Sequence, residues 1–269
     1  MNLLNRVAAR VASASLLAVA STLTIASAAN TLQPSFANGL QTYSSSQPQY
    51  LARRNRLRFR VGVRSSRYRF SGVSRNAQCL DNEQDLTVIA PPTLAEEGIE
   101  DGASGVDKTI SSHPMVFAYV PQQKSANTQA QFTLEDEAGT TQLYNVTFSL
   151  PNQSGIVGIQ IPSSVDALEQ GKNYIWNLAI ICNADNRSQD VTVDSWITRT
   201  AAPAGLPTDA QEKAIELANQ GIWQDAASTL ASLRYPSSSN ALVESDWADL
   251  LTSAGLPQFA SAPIVQIVR

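Results

Sequence analysis

The middle of the chain alternates short apolar runs with turn residues. The runs at 113–121 (HPMVFAYVP) and 173–182 (NYIWNLAIIC) are rich in β-branched and aromatic residues, as buried strands are. Residues 130–134 and 143–150 flank the polar, Gly-containing turn EDEAGTTQ, so they predict a hairpin. Similar runs occur at 85–91, 156–161 and 191–200. Runs at this spacing predict a mainly β fold, an antiparallel β-sandwich of immunoglobulin-like style over residues 76–202.

The pattern changes after the predicted sandwich. Thr208, followed three residues later by Gln211, predicts a capping box, and apolar residues then recur at helical spacing until Gly221. Two more stretches with helical spacing follow before Gly255. We therefore predict three short amphipathic α-helices in a C-terminal segment, residues 203–269, that packs on the sandwich.

The first 28 residues have the three-part layout of a secretory signal peptide. Arg6 and Arg10 precede a mainly apolar stretch that ends in the small residues Ala26-Ser27-Ala28. Cleavage is expected after Ala28, and an uncleaved N-terminal anchor is the alternative. No later stretch reaches the length of a membrane span. We therefore expect an exported protein, periplasmic or extracellular, with no transmembrane span in the mature chain.

The next region is a spacer followed by an arginine-rich arm. Residues 29–52 are rich in Ser, Gln, Asn and Pro without periodicity, whereas residues 53–75 hold nine basic and no acidic residues. In the arm, arginines interleave with apolar residues such as Leu57, so the segment up to Phe70 is either an edge strand or a disordered basic arm. The candidate contacts for an anionic ligand are Arg54, Arg56, Arg58, Arg60, Arg64, Arg67 and Arg69.

The net charge of −4 hides a strong asymmetry between this arm and the rest of the chain. Residues 76–269 contain eight basic and twenty-three acidic residues, a net charge of −15. The basic arm favours an anionic envelope polymer or another envelope protein as partner. Nucleic acid is not expected as a partner, because the acidic body repels phosphate and export separates the protein from most nucleic acid.

Two cysteines, Cys79 and Cys182, occur in the exported part. An even number of cysteines in an oxidising compartment favours a disulfide, and two separate buried thiols are the alternative. The bond would close a loop of roughly 100 residues and stabilise the fold by up to about 4.7 kcal/mol in the chain-entropy model.

Catalytic signals are weak. His113 is the single histidine, and no G-x-S-x-G turn, Walker loop or dinucleotide fingerprint is present. The acidic loop from Glu96 to Asp107 has the two carboxylates that a glycosidase needs, but such a run is more typical of a solvated face. We therefore predict no catalytic, cofactor or metal residues. A hydrolase that uses His113 or the acidic loop is the alternative.

Several spaced aromatic, glycine and cysteine positions act together as a signature. They comprise Cys79, His113-Pro114, Tyr119-Val120-Pro121, Gly155-Ile156, Gly171-Lys172, Tyr174, Trp176, Cys182, Trp196-Ile197, Arg199, Gly221, Trp223, Asp225-Ala226, Leu230, Leu233-Arg234, Trp247 and Leu250-Leu251. This set resembles a cyanobacterial secreted family known only as a domain of unknown function (number 928). The resemblance implies export, a β-rich body followed by helices, and pairing of the two cysteines. It brings no established activity. The basic arm on an acidic body leads us to expect a non-catalytic envelope or extracellular binding factor.

Overall fold

The computed structural model describes residues 57, 79–81, 85–91, 107–235 and 240–269. All of them belong to one unit, Arg53–Arg269. The predicted signal peptide, the spacer and the arm apart from Leu57 lie outside the described residues.

The described residues form two β-sheets. Their strands are β1 (Thr87–Val88), β2 (Asp107–Thr109), β3 (Met115–Val120), β4 (Gln129–Asp136), β5 (Gln142–Ser149), β6 (Gly155–Gln160), β7 (Asn173–Ile181), β8 (Val191–Arg199) and β9 (Ile264–Val268). The first sheet has the order β1-β3-β6-β9, and the second has the order β2-β8-β7-β4-β5. The pairs β2–β8 and β6–β9 are parallel, and the other pairs are antiparallel. The prediction of a mainly β fold with a sandwich arrangement is confirmed.

The predicted hairpin is present as the β4–β5 pair. Phe132 lies opposite Val146 in β5 and opposite Leu178 in β7. The turn holds Gly139 at a φ of +65°, which a residue without a side chain adopts at little cost. The polar segment between the two apolar runs therefore forms the expected connection.

Three helices form a layer that contacts the first sheet. They are α1 (Ala210–Asn219), α2 (Trp223–Arg234) and α3 (Ala241–Ser253), and the layer contacts the sheet through α2 and α3. Every residue of β3 is buried, because one face packs in the sandwich and the other meets the helical layer. The rings of Phe117 in β3 and Trp247 in α3 pack in a T-shaped arrangement, with 6.3 Å between ring centroids. The Nε1–H of Trp223 donates to the carbonyl of Ile89 at 3.1 Å. The three predicted helices are confirmed, and this packing explains why β3 is a continuous apolar run.

The first helix begins one residue later than its predicted capping box. Asp209, not Thr208, caps α1, and its carboxylate accepts from the backbone N–H of Glu212 at 2.9 Å. A carboxylate caps a helix as well as a hydroxyl does, so the adjacent Asp209 can take the position. The end of α1 follows the prediction, because Gly221 has a φ of +72° and Ile222 N–H donates to Leu217 O at 2.9 Å.

Two strands were not predicted. β2 is only three residues long and includes charged side chains, so it lacks an apolar pattern. β9 follows the helices in the segment predicted to be helical, residues 203–269, and pairs in parallel with β6. The C-terminal segment therefore ends in the first sheet and not in the helical layer.

Within the ranges that the structure describes, no helix is both long enough and apolar enough to cross a membrane.

Candidate functional site

A polar cavity of about 100 Å³ lies where the first turn of α2 meets the segment that joins β2 to β3. The end of β6 completes its wall. The polar side chains that line it are Thr109, Ser111, His113, Gln160, Gln224, Asp225 and Ser228, and Pro114 and Met115 supply apolar contacts. The cavity therefore collects hydroxyl, amide, imidazole and carboxyl groups from three parts of the fold.

Asp225 connects α2 to the β2–β3 segment. Its Oδ2 accepts from the hydroxyl of Thr109 at 2.7 Å and from the backbone N–H of Ile110 at 2.8 Å. Burial raises the pKa of this carboxyl above 3.8, and these two hydrogen bonds oppose that rise. The backbone of Asp225 also donates to its own carboxylate, and no hydrogen bond from another described residue reaches Oδ1. Asp225 is thus both a structural contact and a source of negative charge at the cavity.

Gln224 is the most unusual residue of the lining. It is 1% exposed, and neither its Oε1 nor its Nε2 has a hydrogen-bond partner among the described residues. Helical spacing places it on the same buried side of α2 as Ala227 and Ala231. A buried amide left in this state costs about 1–3 kcal/mol per unsatisfied group, so its presence calls for a compensating contact.

Hydrogen bonds hold the imidazole of His113 in one orientation. Its Nε2 lies 2.9 Å from the carbonyl oxygen of Val165, which can only accept, so Nε2 carries the proton. Nδ1 of the neutral ring then accepts from the hydroxyl of Ser112 at 3.0 Å. The carbonyl of His113 accepts from Gln160 Nε2 at 2.6 Å. The ring is therefore fixed by a backbone carbonyl and by a neighbouring serine, at the edge of the cavity.

Cys79 and Cys182 form a disulfide, with their Cα atoms 5.2 Å apart. The predicted pairing is confirmed. Residues around Cys79 also pair with the chain after β3, since Lys124 N–H donates to Cys79 O at 2.9 Å. The bond therefore joins the segment that follows the arm to the end of β7.

The seven candidate arginines of the arm lie outside the described residues, but Leu57 lies within them. Its side chain is 1% exposed and belongs to the hydrophobic core shared by the sheets and helices. Leu57 itself is not in a strand, and the rest of the predicted edge strand lies outside the described residues. Leu57, the described residue of the arm, is thus part of the core.

The acidic loop needs a correction at its last residue. Asp107 lies in β2, is fully buried, and accepts from the hydroxyl of Ser195 at 3.2 Å. It is therefore part of the packed sheet and not of a solvated acidic face. Its position in a strand beside β8 explains the burial. The preceding acidic residues, starting at Glu96, lie outside the described residues.

Most of the cavity was not predicted from the sequence. Thr109, Ser111, Gln160 and Gln224 lie in three separate segments, and each is common in loops or on helix surfaces. One signal was present, since Gln224 is a polar residue at a position where helical spacing requires burial. A polar residue in such a position is informative only when its surroundings are known.

Comparisons with known proteins assign a family but no activity. The family model described as Domain of Unknown Function (DUF928) matches residues 70–264. No curated protein matches the chain. Among solved structures, the fn3 domain of the human collagen alpha-1(XX) chain is similar at 12% identity and a TM-score of 0.21. That match covers 37% of this chain and 81% of the collagen domain, and a likeness of this size carries no structural argument.

Proposed function

The chain belongs to the family described as Domain of Unknown Function (DUF928), and we propose that this protein is an exported, non-catalytic binding factor. The family description names no activity. It acts in the cell envelope or outside the cell, and its arginine-rich arm contacts an anionic polymer. The observation that carries this proposal is the burial of Leu57, which ties a strongly basic segment to the core of an acidic body.

Charge and anchoring together favour a binding role for the arm. Residues 53–75 carry nine basic and no acidic residues, whereas residues 76–269 carry a net charge of −15. A basic segment attracts polyanions over about 10 Å at ordinary ionic strength, and the attraction falls as salt is added. Because Leu57 is held in the core, the arm has a fixed point of attachment and loses less conformational freedom on binding than a free tail would.

Two features support export. The first 28 residues have the pattern of a signal peptide. The Cys79–Cys182 disulfide is of a kind that persists in oxidising compartments and is rare in the cytosol. A protein in that location has anionic polysaccharides, lipid headgroups and wall polymers within reach.

Retention on an anionic polysaccharide matrix at increasing salt tests the role of the arm. The variant has Arg54, Arg56, Arg58, Arg60, Arg64, Arg67 and Arg69 replaced by Gln, and it keeps Leu57. We expect the native chain to be retained at low salt and released steeply as salt rises, and the variant to pass through. The second variant is Leu57→Ala, which keeps every charge but loosens the anchor, so it should still be retained and should be released at lower salt than the native chain. Equal, salt-insensitive retention of the glutamine variant would refute the proposal.

A hydrolase is the second candidate, and one contact favours it. The 3.0 Å contact between Ser112 Oγ and His113 Nδ1 is the arrangement in which a base activates a serine nucleophile. The acidic loop is the weaker version of this alternative, because Asp107 is buried in β2. The native chain and the variants Ser112→Ala and His113→Ala are tested in a broad screen for ester and peptide hydrolysis. The screen distinguishes the hydrolase from the non-catalytic binding factor. Activity lost in both variants favours the hydrolase, and activity that is absent or unchanged excludes this pair.

A further inference from the structure

The side chain of Gln224 makes the cavity a candidate binding site that is separate from the arm. Both hydrogen-bonding atoms of its side chain are buried without a partner among the described residues, and the side chain lines the cavity. Natural proteins rarely leave a buried amide in this state. A ligand group that enters the cavity can supply the missing contacts.

The neighbouring side chains also have unused hydrogen-bonding capacity. Gln160 Nε2 donates to His113 O at 2.6 Å and to Ile161 O at 3.1 Å, which uses both of its protons and leaves Oε1 as an acceptor. Asp225 accepts two bonds from other residues at Oδ2, and none from another described residue at Oδ1. Ser111 Oγ accepts from His113 N–H and keeps its own proton for donation. With Gln224 added, the cavity offers three acceptors and two donor groups.

The charge and the size of the cavity limit the chemical groups that it can bind. Asp225 is the acidic side chain of the lining, and Lys213 is the basic residue whose charge acts on it. The cavity therefore disfavours anions. An ammonium group has no acceptor for the Nε2 protons of Gln224. A cavity of about 100 Å³ suits a small polar group and not a large ligand.

We propose that this cavity binds a primary carboxamide. The group offers two N–H donors and one carbonyl acceptor and carries no charge. This combination matches a cavity that has three acceptors and two donor groups and that disfavours charged groups. One N–H bonds to Gln224 Oε1 while the carbonyl accepts from Gln224 Nε2, and the second N–H is directed to Asp225 Oδ1 or Gln160 Oε1. A hydroxyl group brings a single proton and leaves more of these acceptors unsatisfied. The source is either an Asn or Gln side chain of a peptide or a free small amide.

Titration of the isotope-labelled full chain with acetamide, followed by NMR, tests the assignment. We expect saturable shifts at the side-chain amide of Gln224 and at the backbone amides of Ile110 and Ser111, with a dissociation constant in the millimolar range, about what so small a ligand reaches. Acetate, methylammonium and ethanol, which have similar sizes, should give no saturation at these signals. No saturation with acetamide, or equally tight saturation with any of those three, would overturn the proposal.

Two substitutions separate binding from structure. Gln224→Leu and Gln224→Met keep the volume of the side chain and remove its polar atoms, so both variants should fold and lose the acetamide response at Ile110 and Ser111. The matched control is Gln220→Leu, on an exposed Gln that bonds Glu216 at the end of α1, and it should bind as the native chain does. Undiminished saturation in both Gln224 variants would overturn the proposal.

A short Asn-containing peptide that binds more tightly than acetamide identifies a peptide source, and equal or weaker binding identifies a free amide.

Discussion

The hydroxyl of Thr109, at the end of β2, donates a 2.7 Å hydrogen bond to Asp225 in the first turn of α2, although 116 positions separate them. The backbone N–H of Ile110 donates to the same oxygen at 2.8 Å. This contact attaches the helical layer to the edge of the second sheet, and two donors depend on one carboxylate.

Replacing Asp225 by Ala should lower the free energy of unfolding by about 1–3 kcal/mol for each donor left unsatisfied. Asp225→Asn should cost less, because its amide oxygen can still accept both bonds. Urea unfolding followed by tryptophan fluorescence measures the difference. Asp185→Ala, at an exposed position, is the control and should leave the midpoint unchanged. Equal midpoints for the native chain and Asp225→Ala would contradict the role of this contact.

Asp225 also predicts a pH dependence with a definite sign. Burial raises the pKa of its carboxyl above 3.8 in the folded chain, so the folded state binds the proton more tightly than the unfolded state. The contribution of this group to stability therefore falls as pH rises from about 4 through the raised pKa, and stays constant above it. The difference in unfolding free energy between the native chain and Asp225→Asn, measured from pH 3.5 to 7, should follow this curve. A difference that is flat over this range would show that the pKa is not raised.

Asp136, at the end of β4, should behave in the opposite way. Hydrogen bonds, above all from the backbone N–H of Thr140 at 2.8 Å, lower the pKa of its carboxyl from 3.8 to about 2. The stabilisation is present above pH 3.8 and is lost as pH falls through about 2. An NMR titration of the side-chain carboxyl measures this midpoint directly. Thr140→Val removes the hydroxyl contact and keeps the backbone donor, so most of the shift should remain. A midpoint near 3.8 in the native chain would contradict the geometry of this turn.

Removal of the disulfide should destabilise the fold strongly. Cys79 and Cys182 are 103 positions apart, and loss of a native disulfide typically costs about 2–5 kcal/mol. The double variant Cys79→Ala/Cys182→Ala should unfold at a lower urea concentration than the native chain, and the native chain with reductant should approach it. The double variant with reductant is the control, since it should show no further change. Identical midpoints with and without reductant in the native chain would argue against the bond.

Gly155→Ala should weaken the attachment of β9. A Cβ atom at Gly155 would lie 2.7 Å from the carbonyl oxygen of Pro263 and would also contact Val265. The backbone must shift to relieve the contact, so a loss of about 1–3 kcal/mol is expected. Hydrogen exchange at Ile156, whose N–H donates to Pro263 O at 2.8 Å, should become faster than in the native chain. Val265→Ala on this background should restore only part of the protection, because the Pro263 oxygen remains.

Local patterns were sufficient for some elements and not for others. The β4–β5 hairpin and the long strand β7 were predictable, because alternation and flanking turn residues are local signals. β2 was not, since Asp107 and Lys108 make its composition polar and its burial comes from β8. The cavity depends on the contact between Thr109 and Asp225, and no local pattern contains both residues. The arm was predictable only in part. The alternation of arginines with apolar residues indicated that the apolar residues share one side, and Leu57 is the described residue of that side.

The position of β9 has a consequence for how the chain acquires its structure. Residues 264–268 pair in parallel with β6, which precedes them by about 100 positions, so the first sheet lacks an edge strand until this segment is available. A chain that emerges gradually from a ribosome would hold β6 and the helices before it could complete the sheet. Contacts of such long range form slowly. The first sheet can therefore be completed only late in synthesis, after the three helices have been made.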